Sequence, residues 1–186
     1  MQELSLNVLD IAQNSVRAKA SLVTITVTQR TIDHYLMISI ADDGCGMSEE
    51  QVARVIDPFF TTRTTRKVGL GVSFFKMSAE ATGGSFSIRS ELGKGTVTTA
   101  TYHTDHIDML PIGDMCGTIH TLITMNPDMD FVYEHTLDDK AFTLDTRELK
   151  EVLEDIPLNS PEVSVFILEA LEEGEAGLTA QETQSN

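Results

Sequence analysis

The sequence predicts an α+β protein, a two-layer sandwich of helices laid on one face of a mixed sheet. Three observations carry this reading: helical spacing of apolar residues between Leu4 and Val16, two alternating runs directly after it, and a second helix followed by two more strands before residue 103. In order, Leu4, Val8, Leu9, Ile11, Ala12 and Val16 make one apolar stripe and leave Asp10, Asn14 and Arg17 on a shared polar face. Val23-Ile25-Val27 and Leu36-Ile38-Ile40 alternate with polar residues, as half-buried strands do, and Arg30 to His34 is short enough to join them as a hairpin. Ser48 with Gln51 is a capping-box pattern opening a short helix that Asp57-Pro58 closes. A polar loop spans Thr61 to Lys67. A helix follows Gly69-Leu70-Gly71, and Gly83-Gly84 can end it in a left-handed cap. Strands at Ser85–Ser90 and Thr96–Tyr102 flank the turn Leu92-Gly93-Lys94-Gly95.

The rest of the chain is an acidic α/β extension, residues 104–171, with a helix, a hairpin and two more helices. Met115, Ile119, Leu122 and Ile123 form a helical stripe, Phe131–Thr136 and Ala141–Leu144 a hairpin around Asp138-Asp139, and Asp145 and Ser160-Pro161 each start a helix. From Glu172 to Asn186 composition turns acidic and polar, and this stretch is expected to be a disordered tail.

Charge divides the chain at the same place. The formal net charge is −16, yet residues 1–103 balance 10 Lys/Arg against 10 Asp/Glu, whereas residues 104–186 hold 3 against 19. Such a surface repels phosphate backbones and anionic lipid, which excludes a nucleic-acid platform and a membrane surface and leaves a protein partner or a small ligand. No apolar run reaches the roughly 18 to 20 residues of a membrane span, so a cytoplasmic protein is expected. Two cysteines, Cys45 and Cys116, without Cys or His neighbours at ligand spacing, speak against a disulfide framework and a structural zinc.

The candidate chemistry lies in the first half. Asp42-Asp43-Gly44-Cys45-Gly46 comes off a strand, where Gly44 and Gly46 let backbone approach a flat ligand and Asp42 can accept a hydrogen bond from an exocyclic amine. The same residues would also serve as an ordinary turn. Asn14 offers a neutral oxygen to Mg²⁺, and Asp10, one turn earlier, can hold a water or an attacking hydroxyl. The helix opening at Gly69-Leu70-Gly71 presents free amides and a positive dipole end to phosphate, with Arg63, Arg66 and Lys67 close by in sequence.

These motifs, in this order, resemble the Bergerat-fold ATPases: gyrase, the ninety-kilodalton chaperones, sensor histidine kinases and MutL. Asp10-Ile11-Ala12-Gln13-Asn14-Ser15 is similar to the family's Asn box. Asp42-Asp43-Gly44-Cys45-Gly46 and Val68-Gly69-Leu70-Gly71-Val72 are similar to its two glycine boxes, Asp57-Pro58-Phe59-Phe60-Thr61-Thr62 to the Phe-containing box of the kinases, and Gly93-Lys94-Gly95-Thr96 to its last box. The resemblance implies ATP and Mg²⁺ as cofactors. It implies Asn14 as the Mg²⁺ ligand, Asp42 and Thr96 at the adenine, Gly69, Leu70 and Gly71 at the phosphates, Arg17 as a phosphate contact and Asp10 as the catalytic base. Asp10 stands where hydrolysing relatives carry Glu, and Lys67 stands where the kinases have a glycine, placing a cation near the γ-phosphate. The resemblance covers residues 1–103.

A stand-alone kinase that phosphorylates a separate protein in trans is the leading expectation. No histidine here has a phosphoacceptor setting: His34, His103, His106, His120 and His135 are scattered. The alternative is an ATP-gated interaction module with little or no chemistry, in which ATP orders the Thr61–Lys67 loop and the acidic half engages a protein partner; a homodimer is compatible with either expectation. A DNA-remodelling ATPase would need a transducer domain and a basic surface that the acidic half does not provide.

Overall fold

The computed structural model describes residues 3–57 and 71–180. The elements run α1 (Leu4–Arg17), β1 (Leu22–Arg30), β2 (Tyr35–Asp42), α2 (Glu49–Ile56), α3 (Gly71–Ala81), β3 (Ser85–Glu91), β4 (Gly95–His103), α4 (Met115–Met125), β5 (Asp130–Leu137), β6 (Lys140–Asp145), α5 (Thr146–Leu153) and α6 (Pro161–Thr179). They form one six-stranded mixed sheet of order β3-β4-β2-β1-β5-β6, antiparallel except where β1 lies parallel to β5.

Period-two alternation decides which face is covered. Val23, Ile25 and Val27 of β1, Leu36, Ile38 and Ile40 of β2, and Ala100 and Tyr102 of β4 are all buried, while the threonines and serines between them turn to the other face. On the covered face α1 packs against α3 and α4, and α4 packs against α6. Leu4, Val8, Ile11 and Ala12 press α1 into the core, where they meet Val72, Phe75 and Ala79 of α3 and Ile119, Leu122 and Ile123 of α4. The fold class expected from sequence is the one observed.

Local signals act as expected. Ser48 accepts a hydrogen bond from the Gln51 amide while Gln51 Oε1 accepts from the Ser48 amide, closing the capping box of α2. Gly83 adopts φ 75° beyond α3. Asp145 caps α5 by accepting from the Arg147 amide.

The tail expectation fails for residues 172–179, and residues 181–186 lie outside the described residues. Residues from Glu172 continue α6 as far as Thr179, because Val163, Ile167, Leu171 and Leu178 extend one buried stripe. Glu175 is fixed between two side chains of β5: the Tyr133 hydroxyl donates to its Oε1 at 2.6 Å and His135 Nδ1 lies 2.9 Å from each carboxylate oxygen. The two sequence halves also share the sheet, since β1 pairs with β2 on one side and β5 on the other.

Candidate functional site

The end of β2, the start of β4 and one flank of α1 converge on a cavity of about 210 Å³. Register places Asp42 opposite Thr96 and Ile40 opposite Thr98, so the Asp and both threonines reach the same end of the sheet. Asn14, Asp42, Gly46 and Thr96, four of the residues singled out from sequence, line this one cavity. Its other walls are mostly apolar, with Ile11, Ile40, Val72 and Ile88 among them, joined by Ser15, Cys45 and Thr98. An apolar slot with a few convergent polar groups is the usual form of a small-molecule site.

Asp42 is held from two directions. Its Oδ2 accepts from the Ser15 hydroxyl at 2.7 Å, and its Oδ1 accepts from the Gly44 amide at 2.9 Å. Each oxygen retains a lone pair for a ligand. The turn after it is anchored by Asp43, whose carboxylate accepts from the amides of Ser21 at 2.7 Å and Leu22 at 2.9 Å and from the Ser21 hydroxyl. Burial raises the Asp43 carboxyl, and the hydrogen bonds from Ser21 and Leu22 outweigh it, leaving it below the ordinary aspartate value. Gly44 is buried against Ala18, and Gly46 adopts φ 64°.

Thr96 is oriented by Ser90, 2.8 Å away across the β3–β4 pair. Ser90 accepts from the Met47 amide at 2.8 Å and lies 3.0 Å from the Gly95 carbonyl, the acceptor for its one proton. The Thr96 hydroxyl therefore donates to Ser90 and keeps its lone pairs for the cavity. Gly95 has no freedom to vary: at φ 106°, an added Cβ would lie 1.8 Å from the Asp42 carbonyl oxygen.

The remaining expected residues sit around this centre. Asn14 Oδ1 accepts from Arg17 Nη1 at 3.0 Å, so these two act as a pair. Asp10 is exposed and lies against the start of α3, where a Cβ on Gly71 would come 2.7 Å from the Asp10 Cβ. It does not line the cavity. A carboxylate at a helix N-terminus is favoured by the dipole, and here it occupies the approach expected for phosphate. Lys67, Gly69 and Leu70, with Arg63, Arg66 and the Phe-containing box from Pro58 onward, lie outside the described residues.

Three contributors were not assigned roles from sequence. Ser15 follows Asn14 on the helix and turns inward to hold Asp42. Thr98, 2% exposed, shares the inward side of β4 with Thr96, as alternation requires. Ser90 is legible only once the β3–β4 register is known. Cys45 lines the cavity and is exposed, whereas the Cys116 thiol is pushed up to about 11 by burial and, secondarily, by nearby Glu175. Among the described residues no cluster of three or more His, Cys, Asp or Glu is arranged for a metal, and no helix is long and apolar enough to cross a membrane.

The cavity and motifs agree with comparisons to known proteins. Residues 1–106 match the family described as Histidine kinase-, DNA gyrase B-, and HSP90-like ATPase. Sporulation kinase E of Bacillus subtilis (strain 168) is 34% identical over 90 residues, which is 48% of this chain and 12% of that protein. Sensor histidine kinase ZraS of Klebsiella oxytoca is 34% identical over 92 residues, 49% of this chain and 20% of that one. The chain thus matches only a fifth or less of the length of these two relatives. The Aquifex aeolicus MutL ATPase domain complexed with ADP superposes over 97% of this chain and 99% of its own, with a TM-score of 0.55 and 13% identity, a likeness of fold. With more than half its length matched by that family, the chain belongs to the histidine kinase-, DNA gyrase B- and HSP90-like ATPases, and residues 1–106 are its ATP-binding domain.

Proposed function

We propose that the protein binds Mg²⁺-ATP with adenine in the 210 Å³ cavity and transfers the γ-phosphoryl group to a separate protein. The observation that carries this reading is the convergence of Asp42, Thr96 and Asn14 on one slot whose other walls are mostly apolar. Asp42 accepts from the adenine amine, with Ser15 and Gly44 fixing its carboxylate beforehand. Thr96 supplies a second acceptor, to the base or to a water on it. Ile11, Ile40, Val72 and Ile88 exclude water from the ring faces, and the slot has room for a base rather than for a whole nucleotide, so the phosphates extend outward past Asn14 toward α3.

The donor set suits Mg²⁺, which takes few protein ligands and keeps water and phosphate oxygens. Asn14 would hold it through Oδ1 once Arg17 moves from that oxygen to a phosphate. A bound Mg²⁺ supplies charge neutralisation for phosphoryl transfer. The chain's own work is positioning: Arg17 and Asn14 orient the phosphates, and Asp10, beside the start of α3, accepts the proton of the attacking group.

A second reading, an ATP-gated interaction module, draws on the same geometry. Asp10 is exposed, shorter than Glu and pressed against Gly71, so turnover could be very slow. Calorimetry of ATP and GTP with and without Mg²⁺, followed by phosphate release and by transfer of γ-labelled phosphate to proteins of the source cells, separates the readings. Adenine-selective, Mg²⁺-dependent binding with label on a second protein supports the kinase. Binding without transfer supports the module, and no binding overturns both.

A further inference from the structure

A second cavity, of about 220 Å³, opens between α1, α3 and the connection before α4, with Asn7, Phe74, Met77, Ala81, Asp108 and Leu110 around it. Asn7 is 1% exposed, and neither its Oδ1 nor its Nδ2 has a hydrogen-bond partner. The nearby Ser78 hydroxyl is already engaged with the Phe75 carbonyl and Tyr102. A buried carboxamide left in this state has lost its hydration with nothing in return, which folded proteins rarely tolerate without a use for the group. The walls are open in the opposite sense: Phe74 is 38% and Met77 54% exposed, both apolar and both on the same side of α3.

We propose that this groove binds an extended peptide segment of a partner protein. One apolar side chain of the segment lies between Phe74, Met77 and Leu110, and the N–H and C=O of one of its residues, which lie on the same edge of an extended chain, pair with Asn7 Oδ1 and Nδ2. A carboxamide sets a donor beside an acceptor, the complement of a peptide N–H and C=O. A helix uses those groups internally, so an extended chain is what can offer them. Asp108 at the rim repels anions and the floor is neutral, which disfavours phosphate-bearing or carboxylate ligands. The volume takes one large side chain and a peptide group. Asn7 and Asn14 stand on α1 about 10 Å apart along the axis, so this site is distinct from the nucleotide cavity and does not depend on nucleotide binding.

The test titrates isotopically labelled full-length protein, without nucleotide, with N-acetyl-leucine N-methylamide and separately with methyl 4-methylpentanoate, an ester of similar apolar shape lacking the N–H. The Asn7 side-chain amide and Leu110 methyl resonances report binding. The expected result is saturable shifts with the amide, at least about tenfold tighter than with the ester, and a loss of about tenfold in Asn7→Leu, the worth of the two hydrogen bonds. The melting temperature of Asn7→Leu should hold or rise, because an unpaired buried amide has been removed. Met77→Asp, at an exposed position, should weaken the amide's binding at unchanged melting temperature, and it decides the matter if Asn7→Leu does not fold. Equal affinity for amide and ester, unchanged affinity in either variant, a fall in the melting temperature of a folded Asn7→Leu, or no saturable shift at Asn7 would each overturn the proposal.

Discussion

Replacing Asp42 by Asn separates recognition of the base from the integrity of the fold. In the native protein Asp42 accepts from the Gly44 amide at 2.9 Å and from the Ser15 hydroxyl at 2.7 Å. An Asn oxygen can keep the Gly44 bond, and its NH₂ then meets Ser15, whose hydroxyl rotates to accept. Both internal contacts survive as neutral hydrogen bonds, so the fold should lose only about 0.5–1.5 kcal/mol. The ligand side differs, because an adenine amine now faces a donor where it had a charged acceptor. Loss of a hydrogen bond to a charged group costs about 1.5–3 kcal/mol, which is roughly a 10- to 150-fold weaker Kd. Calorimetry with ATP and GTP on wild type and Asp42→Asn, alongside urea denaturation of the same preparations, measures both quantities. Unchanged ATP affinity in a folded variant, or an equal loss for GTP, would refute the placement of adenine against Asp42.

Three further outcomes are expected. Gly95→Ala should lose about 2–4 kcal/mol of stability by urea denaturation, since its Cβ would be driven 1.8 Å from the Asp42 carbonyl oxygen at a positive φ. Glu175→Gln should cost about 1–3 kcal/mol at neutral pH. Burial raises the Glu175 carboxyl but the hydrogen bonds from His135 and Tyr133 outweigh it and hold it below the ordinary value. A carboxyl lowered by folding stabilises the protein above its unfolded-state pKa and ceases to do so as pH falls through its folded value. The gap between wild type and Glu175→Gln should therefore close in acid, and a gap that persists there would contradict the pairing. Ending the chain after Leu171 should lower stability by about 3 kcal/mol or more, because it strips Leu178 from the core and leaves Tyr133 and His135 without Glu175. An unchanged thermal melt would show that the last turns of α6 are dispensable.

How far the sequence could be read depended on whether a signal is local. The hairpins, the Ser48 capping box and the turn of the first glycine box are each written in a few adjacent residues, and the structure reproduces them. Asp42, Asn14 and Thr96 could be selected because their motifs are compact, but their meeting depends on the β2–β4 register, which no short segment encodes. The end of α6 was misread because Glu172, Glu173, Gly174 and Glu175 look like solvated tail. Gly174 is in fact where the helix passes Phe142, whose ring would lie 2.2 Å from an added Cβ, and Leu178 resumes the buried stripe. Asn7 was hidden for a related reason: one polar residue on an apolar helix face becomes informative only when its surroundings prove to contain no partner for it.

The position of β1 has a consequence for solubility. Through Leu22 to Gln29 it pairs along its whole outer side with β5. Without residues 104–186 those eight backbone positions would form a bare edge, flat and rich in Val, Ile and Thr, the kind of edge that recruits strands from other molecules. The acidic half closes that edge with β5 and β6 and leaves the shorter six-residue strand β6 as the new border. The sheet is thereby guarded against aggregation at its centre, whatever ligand the opposite end of its strands receives.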